Sequence, residues 1–232
     1  MPAFVIGKRT QENADLLIER LKGVSCGLIP CFTSDQLPHY PKALVNGYGT
    51  PEIIIQIPGK RGRKPKPKLL PPADLHYAQV VKRRQGGRVV EMTTQVIFGS
   101  EAAIQARLAA SEVSETINTS FIERQNLTGR QCNGRLARKG LSFSQDLTWM
   151  DKHLWLSLAY YHFLLPHASL AQRLPEPQPT RGGGSPKIWQ PATPAMAAGI
   201  TDHVWTMEVL LSYRVPPDFR DALERQVVVH NL

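Results

Sequence analysis

"TQENADLLIERLKGVSCGLIPCFTSDQ", residues 10–36, holds the pattern that decides the fold. Thr10 has the side chain of a helix cap, Glu12 and Asp15 fall near the positive end of the helix it opens, and Ala14, Leu17, Ile18 and Leu21 share one stripe before Gly23. A helix is expected there. "GLIPCFTSDQ" then reads as a short apolar strand that ends at Ser34-Asp35, and the β-rich Ala3-Phe4-Val5-Ile6 upstream supplies an earlier strand with no partner before it in the sequence. Strand, helix and strand in that order begin an α/β layer.

Further along, "PHYPKALVNGYG" (38–49) reads as a short helix or turn closed by Gly47 and Gly49. "EIIIQIPGKRGRKPKPKLLPP" starts as a strand. It continues as a basic extended loop, because six Lys or Arg in Lys60 to Lys68 are interrupted by Pro65 and Pro67, which a helix does not tolerate. "HYAQVVKRRQGGRVVEMTTQVIFG" (76–99) alternates on both sides of Gln85-Gly86-Gly87, the mark of a β-hairpin with a glycine turn, and Lys82, Arg83, Arg84 and Arg88 crowd its tip. A helix capped by Ser100 follows, and another pattern resumes after Ile117-Asn118 through Glu123. In "LTWMDKHLWLSLAYYHFLL" the stripe Leu147, Met150, Leu154, Leu158, Tyr161 and Leu165 predicts a core helix ending before Pro166. Residues 173–192 read as a Pro/Gly linker and 193–232 as a C-terminal tail with one capped helix.

The bulk numbers bound the function. The 232 residues are 42% hydrophobic, enough for a sizeable core, and 28 Lys and Arg against 19 Asp and Glu leave a formal charge of +9. Such a field attracts polyanions, with a solvated basic exterior or a ribosome-associated protein as the alternatives. Three cysteines, Cys26, Cys31 and Cys132, make an odd count without the paired spacing of a zinc site, which predicts free thiols and a reducing compartment. No apolar run reaches the roughly 18 residues of a membrane span. The expected location is therefore cytoplasmic and associated with the nucleoid.

Two acids carry the candidate chemistry. Asp35 stands just past a buried-looking strand, where α/β sheets present side chains to a ligand crevice, and Glu123 lies on the first turn of a helix. A sheet that brings them together would let them share Mg²⁺ ions about 3.5–4 Å apart against a phosphate. Asn126 and Arg130 share the helix face of Glu123 and could touch that phosphate. The plain alternative pairs Glu123 with Arg124 or Arg130 on a solvated face and leaves Asp35 to cap the next segment. His162 and His167 flank Pro166, but on an apolar helix end such residues are more often half-buried and hydrogen-bonded than catalytic. Trp149 and Trp155 are most simply core.

"INTSFIERQNLTGRQCNGRLARKGLSFSQ" resembles the glutamate helix of DDE insertion-sequence transposases, specifically the group named after insertion sequence one. "CFTSDQLPHYPKAL" resembles their second-aspartate segment, "GKRTQENADLLIERL" the helix between the first two acids, and "YYHFLLPHASL" their helix-and-Pro-His ending. The likeness runs over nearly the whole chain in the same order, and the glutamate segment is its most specific part. It implies an α/β fold with a ribonuclease-H-like mixed sheet flanked by helices, over residues 1–172, with residues 57–99 inserted as a basic loop and β-hairpin. It also implies Mg²⁺-dependent strand nicking and strand transfer by two metals, with Mn²⁺ as a substitute, at transposon ends and target DNA in a homo-oligomer.

Position by position, the resemblance makes Asp35 the second acid and Glu123 the third, each a metal ligand. The family's first aspartate lies on a strand upstream of the segment matching Ala3 to Thr10, where this sequence has Met1 and Pro2. The expectation is a sheet lacking its first strands, with one edge open to association and little strand transfer by the chain alone. Lys60, Arg61, Arg63, Lys64, Lys66 and Lys68 in the loop, with Lys82, Arg83, Arg84 and Arg88 on the hairpin, are the expected DNA contacts. The alternative is a non-catalytic DNA-binding chain that modulates an intact transposase.

Overall fold

The computed structural model describes residues 3–25, 27–52, 68–111, 114–136, 141–142, 144–180 and 182–214. The chain divides into two compact units, Met1–Leu127 and Thr128–Leu232. It is a mixed α/β protein of helices and small sheets.

The first unit begins as its sequence predicts. Thr10 caps α1 (Gln11–Val24), its hydroxyl accepting from the Asn13 N–H, and α1 buries Ala14 and Ile18 against Ala43, Leu44 and Tyr48 of α2 (His39–Tyr48). Gly47 sets how closely these helices approach, since a Cβ there would lie 2.6 Å from Ile18 Cγ2. Leu75 and Tyr77 complete the same cluster, and Phe32, Ile97 and Phe98 pack on it half-buried.

The sheet is three-stranded, in the order β1–β4–β5. β1 (Phe32–Ser34) runs parallel to β4 (Tyr77–Gln85), and β4 pairs antiparallel with β5 (Arg88–Phe98). The expected glycine turn closes that hairpin, Gly86 and Gly87 both sitting at positive φ, 57° and 79°, the geometry a two-residue turn requires. A pair of two-residue strands, β2 (Thr50–Pro51) and β3 (Leu69–Leu70), brackets residues 52–68, and the strand expected from Glu52 onward and the basic loop expected after it fall largely at 53–67, outside the described residues. Ser100 caps α3 (Glu101–Ala109), which buries Ile104, and α4 (Ser120–Cys132) carries Glu123 on its first turn.

One element of this unit departs from expectation. Ala3–Ile6 is not a strand; it is half-buried, irregular chain. Its apolar composition favours a pleated surface, but a strand exists only where a neighbouring ladder accepts its hydrogen bonds, and none of the described strands pairs with it.

The second unit differs more. α5 (Leu147–Ala159), capped by Asp146 on the Thr148 N–H, continues through a π-helical turn, Tyr160–Leu164. The stripe predicted as core is only half-buried at Met150, Leu154, Leu158, Tyr161 and Leu165, and Leu147 is exposed. Trp149 and Trp155, read as core, are exposed as well, Trp149 by 58%. The helix is apolar round most of its circumference, with Trp149 and Leu156 opposite the stripe, so no single face collects the burial. The segment read as linker contains a hairpin of β6 (Gln172–Gln178) and β7 (Lys187–Gln190). Beyond it, α6 (Pro194–Ala197) is capped by the buried Thr193 and α7 (Met207–Ser212) by Thr206, while Trp205 lies between the rings of Phe163 and Tyr213. Among the described residues no helix is long and apolar enough to cross a membrane.

Because Leu44 is only 1% exposed between α1 and the sheet, Leu44→Ala should cost about 2–5 kcal/mol in urea unfolding. Leu28→Ala, at a residue 74% exposed, should change stability by less than about 0.5 kcal/mol.

Candidate nucleic-acid and metal site

β4 sets up the site by leaving the core partway along its length. Tyr77, Ala78, Gln79 and Val80 are buried, Val81 and Lys82 half-buried, and Arg83 onward exposed. Lys82 is thus the first cation on the strand as it emerges. Its Nζ donates to Glu123 Oε1 at 2.5 Å, and the Thr119 hydroxyl donates to the same oxygen at 2.9 Å. Thr119 lies one helical turn before Glu123, so the two side chains share a face. Among the described residues, Oε2 receives no donor.

Two contacts aim the helix. Thr33 of β1 donates its hydroxyl to the Asn118 carbonyl at 3.3 Å, and the Asn118 side chain accepts from the Ser120 N–H and hydroxyl at 3.1 and 2.6 Å. The start of α4 is thereby tied to β1. Glu123 pairs with neither Arg124 nor Arg130, as a solvated-helix reading would have it, but with a strand cation 41 positions away.

Asp35 leaves β1 at its C-terminal end and is exposed. A polar chain reaches it: Gln79 Nε2 donates to the Tyr77 hydroxyl at 2.7 Å, that hydroxyl is 2.7 Å from Ser34 Oγ, and Ser34 Oγ donates to the Asp35 carbonyl at 2.7 Å. No side-chain hydrogen bond caps α2, so Asp35 is not its cap. Extending the β1–β4 register by one residue from Ser34 and Gln79 sets Asp35 opposite Val80. That is two positions short of Lys82, about 7 Å along the strand. The two acids thus lie toward one end of the β1–β4 pair, with no contact joining their side chains among the described residues.

The remaining candidates divide by location. Arg83, Arg84 and Arg88 are exposed at the hairpin tip, with Arg83 Nε 3.6 Å from Glu91 of β5. Lys68 is exposed at the edge of β3, and Lys60, Arg61, Arg63, Lys64 and Lys66 lie outside the described residues. Asn126 is exposed on α4 and Arg130 half-buried further along it. Thr119, Thr33 and the Gln79–Tyr77–Ser34 chain were missed by sequence reasoning. The only signal was the one-turn spacing of Thr119 and Glu123, since the other contacts cross between elements. His162 is half-buried, its Nε2 without a partner among the described residues, and burial pushes its pKa down.

The electrostatics favour a charged acid. The Lys82 hydrogen bond, then that of Thr119, holds the Glu123 carboxyl below the usual carboxylate range, helped by the charges of Lys82 and Arg84. Burial pushes the Tyr40 and Tyr77 phenols up, and the Asp35 charge adds to both shifts. An ionised carboxylate is the form that binds a hard cation, and both acids offer oxygen donors suited to Mg²⁺. At Glu123 the ammonium of Lys82 is already hydrogen-bonded to Oε1. Among the described residues no three His, Cys, Asp or Glu side chains form a metal-binding group.

Lys82→Met should raise the Glu123 pKa toward the ordinary glutamate value, as read by a carboxyl carbon titration in NMR. A carboxyl whose folded pKa is depressed contributes stability above its unfolded value and loses it as pH falls through the folded one. The variant should therefore show a weaker loss of stability on acidification below about pH 4.3. No protein-family model, curated protein or solved structure matches the chain.

Proposed function

We propose that this chain binds DNA through its basic hairpin and basic loop and holds divalent cations at Asp35 and Glu123 against the backbone. In this reading it forms part of a ribonuclease-H-like transposase site for strand nicking and strand transfer at the ends of a mobile element. The observation that carries it is the Lys82–Glu123 pair, which joins the root of a cationic hairpin to the acid of α4. A positively charged ribbon beside an ionised carboxylate is the arrangement needed to hold a phosphate and a cation together.

Each residue has a distinct task. Arg84 and Arg88, exposed at the tip, bind phosphates; Arg83 does so on leaving Glu91; Lys68 and the loop cations extend the contact. Asn126 and Arg130 follow the acid along α4, about one and two turns on. Thr119 holds the Glu123 carboxylate in one orientation, and the Gln79–Tyr77–Ser34 chain fixes the backbone from which Asp35 projects. Mg²⁺, or Mn²⁺ in its place, would supply polarisation of the phosphate and activation of water or a 3′-hydroxyl when bound. Two acids make a small donor set, so strand transfer by this sequence alone should be weak unless another segment or copy contributes ligands. A homo-oligomer on the nucleoid is the working form of this reading.

A second reading rests on the same ion pair. With Glu123 neutralised by Lys82, the chain could bind DNA without chemistry and modulate an intact transposase by occupying its ends.

Binding of a labelled duplex should weaken with salt, and Arg84→Gln with Arg88→Gln should shallow the log–log slope by about 0.9 for each lost phosphate contact. An unchanged slope would remove the hairpin from the interface. Mn²⁺-dependent nicking abolished by Glu123→Gln supports the catalytic reading, whereas DNA binding with no nicking at any cation concentration supports the second.

A further inference from the structure

Lys82 sits at the junction of the two functions proposed for this site, and the geometry points to a role of its own. We propose that Lys82 is an exchangeable counter-ion for Glu123, whose displacement couples divalent-cation binding to nucleic-acid binding. This inference rests on the reading of Glu123 as a cation ligand.

Lys82 and Thr119 both donate to Oε1, but they differ in what holds them. Thr119 is buried, four residues before Glu123 and immediately ahead of α4, and keeps the carboxylate oriented whether or not Lys82 is present. Lys82 reaches from another element, and the pair is open to water, with side-chain exposures of 27% for Lys82 and 58% for Glu123. An ion pair so exposed is weak. A doubly charged ion at the same carboxylate competes effectively with a single ammonium, and the orientation left by Thr119 needs no rebuilding.

The released ammonium has a second use. Lys82 stands where β4 leaves the core, with Arg84 and Arg88 further along the hairpin. Freed from Glu123, it adds a positive charge at the root of a basic ribbon. Arg83 is paired separately with Glu91 of β5. A cation at Glu123 therefore improves the surface for phosphate, and by linkage nucleic acid improves the site for the cation by the same factor.

The test uses the full chain and Mn²⁺ at constant ionic strength, with free Mn²⁺ followed by electron paramagnetic resonance. Without DNA, Lys82→Met and Lys82→Gln should bind Mn²⁺ about two- to fivefold more tightly than the parent chain, the range expected for removing an exposed ion pair. Lys42→Met, which removes an exposed charge on α2, controls for the change in net charge and should match the parent. In the parent chain, saturating Mn²⁺ should tighten binding of a labelled duplex, and both Lys82 variants should lose that enhancement. Equal Mn²⁺ affinity in the parent and the Lys82 variants, with Mn²⁺ bound in each, overturns the counter-ion role and leaves the cation site standing. Failure of all of them to bind Mn²⁺ overturns the cation site as well.

Discussion

Three parallel residue pairs, Phe32 with Tyr77, Thr33 with Ala78 and Ser34 with Gln79, join β1 to β4. Everything proposed for the site follows from that junction. It brings the end of β1, where Asp35 projects, beside the stretch of β4 that emerges from the core with Lys82. Thr33 then ties the start of α4 to β1, so that Glu123 meets Lys82. The junction is backed by apolar contacts, since Tyr77 and Leu75 lie in the same buried cluster as α1 and α2. A parallel pair needs a long crossover, and the chain between β1 and β4 includes α2 and the basic sequence Lys60 to Lys68, so the same connection that permits the pairing carries positive charge.

The charge distribution around this junction is uneven. Positive residues gather on the outer half of the hairpin, where β4 and β5 have left the core, while the acid of α4 meets them at the hairpin root. A long strand that runs beyond its sheet costs backbone exposure, and a row of cations along it discourages pairing with another edge. The same row suits a polyanion. Val89, Val90 and Met92 are exposed among these charges on β5, and a solvated ribbon carrying both kinds of side chain is suited to contact rather than to further core packing.

Local patterns were legible wherever one stretch of chain supplies its own determinants. The Thr10 cap and the stripe through Ala14 and Ile18 define α1, Gly86-Gly87 defines the hairpin, and Ser100 defines α3, each from residues within a few positions of one another. Reading failed where an element depends on distant neighbours. Ala3–Ile6 has strand composition, but none of the described strands pairs with it; residues 173–192 have linker composition, yet Arg173 pairs with Trp189. The α5 stripe reads as core, but its burial depends on how much chain surrounds the helix. Asp35 and Glu123 were legible as acids in the right local settings, one after a strand and one on a first helical turn. Their partners were not.

By itself the sequence determined the basic character of the chain, the helices with their caps, the turn of the hairpin and the two acids placed at element ends, because these depend on side-chain chemistry and spacing within a turn or two. Only the tertiary structure decided that Glu123 is paired with Lys82, that Asp35 follows directly on the last β1–β4 pair, Ser34 with Gln79, and that Thr33 holds the α4 start. Those outcomes depend on strand register and on which elements meet across long loops, and no local spacing encodes them.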